Sequence, residues 1–285
     1  MVLELLIGPR KAEHQPWQLF FIGFMYCSIA LFLSIWVFEK YTSLVMVFLT
    51  VMACTHLMHS TFRLEEKKDF EIRSETTLLE EHGKALSFMM FLFLGFVVAF
   101  SLWYILLPSQ TSHNVFSVQI ETIEAVNSAT QPSGSVISKS IFLTAILMNN
   151  LKVLFFCMLF AVFYGAGAIF ILAWNASVVG AAMGSFVRSN IALIASEFGM
   201  GSIATYFSTY SLSLLRYLTH GALEILAYFM AALAAGIISI AIARRDYESR
   251  KFKYVILDTL DLAVLSVVIL VIAAFVEVFI TPVLF

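Results

Sequence analysis

His220 and Glu224 stand four residues apart, which places both on one face of a helix, and Arg216 extends the line by another four. All three lie in strongly apolar surroundings. A charged side chain there has to pair, reach water or serve a pathway, so each marks a site where structure or transport is at stake. The sequence predicts a turn before Gly221, with Thr219 or His220 near a helix start and Glu224 in the first turn. In that arrangement Glu224 latches onto Arg216 or Lys152; the alternative is a proton or ion site. Asn149, Asn150 and Lys152 form a second polar group, in which Lys152 can snorkel and the amides can bond across helices. Glu197 stands alone in a segment diluted by Gly199 and Gly201. Asp258 and Asp261, three residues apart, share a face and read either as an interfacial pair for Arg244 or Arg245 or as a cation pathway.

Enzymatic chemistry has no comparable signal. His220 has no second histidine at metalloprotease spacing, and neither a Gly-x-Ser-x-Gly elbow nor a phosphate-binding glycine loop occurs. Cys27, Cys54 and Cys157 lie in apolar runs without metal-ligand spacing and read as small hydrophobes. The expectation is a non-enzyme with no metal and no cofactor.

These residues must be positioned by membrane helices. Of 285 residues, 61% are apolar and 13% charged, whereas a soluble domain runs near one-quarter charged. The chain therefore reads as all-α, a polytopic transmembrane helix bundle whose main partner is the lipid bilayer. The net charge of -2 argues against nucleic acid. Stretches long enough to cross the hydrocarbon run over 17–38, 41–60, 85–107, 151–174, 221–243 and 254–281. The first is too long for a cleaved signal. Asn175 is placed to end the fourth. Segment 191–217 is ambiguous: a seventh span, two half-helices or a re-entrant element. Gly180 and Gly184 have the small-xxx-small spacing of close helix packing.

The organisation that follows is a three-span region over 1–107, a polar extracytoplasmic loop over 108–140 and a membrane domain over 141–285. A charged hairpin at 61–86 separates the second and third spans and reads as a solvated connector. With seven spans and the N-terminus inside, Arg10, Lys11, Arg63, Lys67, Lys68, Arg73, Lys84, Arg188 and the cluster from Arg244 to Lys253 all face the cytoplasm. That bias predicts a cell-membrane protein with its C-terminus outside.

The run from Asn149 to Gly236 resembles the stage II sporulation protein M family. The resemblance is carried by Asn149-Asn150, Gly165 with Gly167, Asn175 followed by Gly180, and His220-Gly221-Ala222-Leu223-Glu224 with Ala231 and Gly236 on the same helix. The family's histidine usually follows proline; here Thr219 stands there. The resemblance implies a multi-span membrane protein without established catalytic residues. The sporulation member works in a membrane complex with cell-wall-degrading partners. It also implies that Asn149, Asn150, His220 and Glu224 share one structural centre. The first three spans lie outside it. Two functions follow as expectations: a scaffold that associates with itself or with other envelope proteins, or a channel or transporter centred on Lys152, Glu197, His220 and Glu224.

Overall fold

In the computed structural model, residues 8–72, 74–129, 136–164, 167–198, 203–245, 249 and 252–284 are described, and no strand occurs among them. The helices are α1 (Pro9–His14), α2 (Gln18–Val37), α3 (Thr42–Glu71), α4 (Glu75–Leu106), α5 (Ser109–Val115), α6 (Ser117–Ala129), α7 (Val136–Tyr164), α8 (Ala168–Phe198), α9 (Ile203–Ala243) and α10 (Phe252–Phe275). One turn of π-helix (Val276–Ile280) and α11 (Thr281–Leu284) follow α10. Seven of these are long and apolar enough to cross a membrane. The polytopic all-α bundle read from the sequence is therefore what forms.

The seven spans are not the expected seven. Residues 151–174 are not one helix: α7 stops at Tyr164 and α8 starts at Ala168. Gly167 between them is in a turn, where glycine suits the backbone better than in a helix interior, and Gly165 and Ala166 lie outside the described residues. Asn175 does not end a helix. It sits inside α8, where its Nδ2 donates to the Ile171 carbonyl at 2.7 Å. Segment 191–217 is no span of its own either. It supplies the end of α8 and the beginning of α9, while residues 199–202, with Gly199 and Gly201, lie outside the described residues. The turn expected before Gly221 is absent. α9 runs unbroken for 41 residues through Arg216, Gly221 and Glu224, and a Cβ on Gly221 would meet nothing within 4 Å.

Glycines set the closest approaches. A Cβ on Gly95 of α4 would lie 2.2 Å from the Phe20 carbonyl oxygen of α2, and one on Gly23 of α2 would lie 2.6 Å from the Leu92 carbonyl oxygen of α4. The two helices thus press backbone against backbone at reciprocal glycines, as small residues permit between membrane helices. Gly180 of α8 lies against the α4 backbone at Val97 and Ser101, and Gly184 receives the Tyr104 side chain. The small-xxx-small spacing is therefore a packing device within the chain. Gly236 of α9 receives the ring of Phe62 from α3.

The polar stretch after α4 is largely helical and lies on the bundle. Gln119 of α6 is wholly buried. Its Oε1 accepts from Ser43 Oγ of α3 at 2.6 Å and its Nε2 donates to Ser177 Oγ of α8 at 3.1 Å. Arg188 packs at this same end. Its guanidinium donates to the Ile105 and Leu107 carbonyls and lies over the Tyr104 ring. This places Arg188 at the end of the bundle opposite Arg244, not beside it as the sequence reading had it.

Candidate functional site

Polar residues gather at two levels. The first joins α7, α9 and the end of α10. Asn150 is buried, and its amide donates to the Glu224 carboxyl across the α7–α9 interface. Glu277, on the π-helical turn, brings a second carboxyl close to Glu224. Three helices are thus tied at one point by an amide and two acids.

The other expected members of this centre lie elsewhere. Asn149 and Lys152 are exposed on the outward side of α7. Arg216 is exposed, with its guanidinium 5.5 Å from the Phe186 ring centroid. Neither Lys152 nor Arg216 is the counter-ion of Glu224. The α-helical period explains Lys152: two residues beyond Asn150 is about 200° around the helix, so the two cannot face the same neighbour. The side chains of Glu197 and His220 lie outside the described residues.

The second level sits at the other end, where α1, α3, α4, α9 and α10 meet. Here the expectation of a solvated charge run is overturned. α3 carries one buried stripe from Cys54 through Leu57, Met58, Thr61 and Phe62 to Glu65, Glu66 and Asp69. The acids occupy the same helical face as the apolar residues before them, so they enter the core. Glu65, Glu66, Asp69 and His82 are each at most 4% exposed.

Each buried acid of α3 faces a cation. His82 of α4 lies between two of them, with Nδ1 2.8 Å from Glu65 Oε2 and Nε2 3.2 Å from Asp69 Oδ1. Nδ1 is hydrogen-bonded to Glu65, whereas Nε2 and Asp69 Oδ1 are at ion-pair distance without a hydrogen bond, and an imidazole held between two carboxylates is favoured in its charged form. Lys68 Nζ lies 2.8 Å from Glu65, 3.0 Å from Glu13 of α1 and 3.1 Å from Glu81 of α4. Arg244, just past α9, pairs with Glu66 at 2.8 Å. This clasp fastens α1, α4 and α9 to the end of α3. Burial pushes the Glu13 carboxyl up to about 7, opposed by the hydrogen bond from Lys68 and reinforced by Glu65.

Asp258 and Asp261 of α10 also belong to this end, but they join neither latch nor clasp. They line two adjoining cavities of about 390 and 300 Å³ that open beside the clasp, in company with Asp69, Glu75 and His82. Arg244, their expected partner, is taken by Glu66. Among the described residues no group of three His, Cys, Asp or Glu side chains is arranged to hold a metal ion.

Against known proteins, the stage II sporulation protein M family matches residues 84–282. The chain belongs to that family. The match covers well over half of the sequence and begins just after His82, so the family region takes in most of α4 and everything from α5 to α10. The motif residues alone had pointed only to the part from Asn149 onward. No curated protein and no solved structure matches the chain. Glu224, within the motif that carried the resemblance, is the residue through which this family member ties α7 and α10 to α9.

The sequence reading passed over Glu65, Glu66, Asp69, His82 and Gln119, and it took Glu277 to reach water at the outer end of the last span, whereas Glu277 is half-buried beside Glu224. A signal existed for the acids of α3, since they continue the three- and four-residue spacing of the preceding apolar stripe. For Gln119 and Glu277 no local pattern gives the partner away.

Proposed function

We propose that this family member is a non-enzymatic membrane-organising protein that holds partners at the envelope, and that it is not a conduit. The observation that supports this best is the fate of Glu224. An acid serving a pathway needs water or a substrate beside it, whereas this one is engaged by Asn150 and Glu277 on two neighbouring helices. It acts as a tie between spans. Asn149 and Lys152 face outward from α7 close to this tie. They offer polar contacts at a depth where lipid offers none, which suits a second copy of the chain or another envelope protein.

The orientation proposed is N-terminus cytoplasmic and C-terminus outside. Lys68, Lys84 and Arg244 cluster at the clasp end with α1, the side that the positive-inside rule assigns to the cytoplasm. Arg188 at the opposite end is absorbed by backbone carbonyls and an aromatic ring.

The test is flux. Purified protein is reconstituted in proteoliposomes and assayed for proton, Na⁺, K⁺ and Cl⁻ movement at mildly acidic and mildly basic pH, for wild type and Glu224→Gln. No flux above empty vesicles is expected from either. A wild-type flux that Glu224→Gln abolishes would overturn the scaffold reading in favour of transport.

A further inference from the structure

The apolar stretch of α7 runs over Lys139–Phe163. Lys152 lies thirteen residues from its start and eleven from its end, about 20 and 16 Å along the axis. The hydrocarbon of a bilayer is about 30 Å thick, so this lysine stands near the middle of its span. A lysine stem carries its ammonium past roughly one turn of helix, about 5 Å, and snorkelling falls short of either surface from this depth.

The side chain also points away from the bundle. Lys152 and Asn149, almost one turn before it, are both exposed. Met148 and Phe155 beside them are 62% and 59% exposed. The carboxyls of the tie, Glu224 and Glu277, are held on the side of α7 that carries Asn150. Glu197 is out of reach along the axis. α7 and α8 pack together from the same short connection, with Lys152 twelve residues from it and Glu197 twenty-nine, a difference of about 25 Å. Among the described residues no acid pairs with Lys152.

The charge selects the occupant. An amine left facing hydrocarbon is costly, and a carboxylate laid against it relieves that cost. Asn149, on the same face, offers an amide donor to the second oxygen of that carboxylate. A second copy of this chain, placed symmetrically on this face, sets Lys152 against Lys152 and is repelled. A wholly apolar helix leaves the amine as it was. We propose that the outward face of α7 docks a transmembrane helix of another membrane protein, through a mid-span aspartate or glutamate that pairs with Lys152. Met148 and Phe155 supply the apolar packing around the pair. This rests on the membrane-organising reading and gives that reading a partner of defined chemistry.

The experiment uses the full-length protein in phosphatidylcholine vesicles. The probe is a synthetic leucine–alanine helix of about 20 residues, enough to span, with one central aspartate. Energy transfer reads association, from a fluorophore on a cysteine placed at exposed Ser140 to a label on the peptide; the native cysteines are buried. The expected result is saturable transfer for the aspartate peptide, at least tenfold tighter than for peptides with leucine or lysine at the centre or with the aspartate moved to one end. Lys152→Met is expected to abolish that preference, and Lys152→Asp to pass it to the lysine peptide. Gel filtration and circular dichroism confirm that the variants fold. The proposal is overturned by equal binding of the aspartate and leucine peptides, by a preference that survives Lys152→Met in a folded variant, or by Lys152-dependent self-association in place of peptide binding. Any of these in a protein that passes no ions sinks the pairing and leaves the membrane-organising reading standing, whereas a flux that Lys152→Met abolishes sinks both.

Discussion

Replacing His82 with leucine tests the clasp most directly. The two residues are of similar bulk, so packing is largely kept while both polar contacts are lost. Glu65 retains Lys68 at 2.8 Å, but Asp69 loses the imidazolium that faces it at 3.2 Å. The variant thus strands one buried carboxylate. Removing one partner of a buried pair costs about 3–5 kcal/mol. Some of this is recovered if Asp69 takes up a proton, so a loss of about 2–4 kcal/mol is expected at mildly basic pH, where staying charged is otherwise favoured. The readout is equilibrium unfolding in a denaturing detergent titration, monitored by tryptophan fluorescence. The decisive comparison is with the double variant Asp69→Asn/His82→Leu. If Asp69 is what the histidine neutralises, the histidine's removal costs at least about 1 kcal/mol less in the Asp69→Asn background, the size of a coupling between contacting residues. A His82→Leu loss below about 1 kcal/mol, or equal losses in both backgrounds, would falsify the assignment of His82 as the charge partner of these acids.

Other outcomes follow from the same geometry. Gly95→Ala forces a Cβ to 2.2 Å from the Phe20 carbonyl, and overpacking of this kind is expected to cost about 1–3 kcal/mol; Gly221→Ala meets nothing within 4 Å and should stabilise α9 by about 0.5–1 kcal/mol. Thermal melting of the two variants in detergent should move in opposite directions, and a shared sign refutes the packing argument. Glu13 has its carboxyl raised from 4.5 to about 7, beside Lys68 and Glu65 of α3 and with Glu81 of α4 across the same lysine. An acid raised on folding gives stability that is complete below its unfolded value and lost as pH rises through the folded one. Hydrogen exchange over residues 9–14, corrected for intrinsic rate, should therefore show weaker protection above that folded value than below it, with the difference gone in Glu13→Gln. Identical protection on both sides counts against the docking of α1. The three native cysteines are buried, so single cysteines at exposed Ser74 and Ser109 should report cleanly and react from opposite sides of sealed vesicles. Reaction from one side contradicts the proposed orientation.

Length and composition made the fold class legible, because no soluble core accommodates so apolar a chain. Span boundaries were less legible. A hydropathy window runs smoothly from Leu151 to Trp174, yet α7 ends at Tyr164 and α8 starts at Ala168, so two helices read as one. The opposite error occurred at Gly221, where a glycine that faces open space leaves α9 intact. Of the polar centre, Asn150 and Glu224 were found because both are out of place in hydrocarbon. Their third partner, Glu277, lies far downstream of Glu224 and comes close only through the packing of α10 on α9. The clasp was misread for a different reason. Charge was equated with solvent, whereas helical phase decides: Glu65 and Asp69 lie one and two turns beyond Thr61 on a face already committed to the interior.

The unbroken α9 has a mechanical consequence. It carries Glu224 part-way along its length and delivers Arg244 just past its end, so the tie and the clasp sit on a single stiff rod about 30 Å apart. A helix resists stretching and holds its twist far better than a loop does. A partner that draws Glu224 sideways must therefore tilt the rod and drag Arg244 across Glu66. The same rod works in reverse, so whatever tightens the clasp stiffens the surface presented beside the tie.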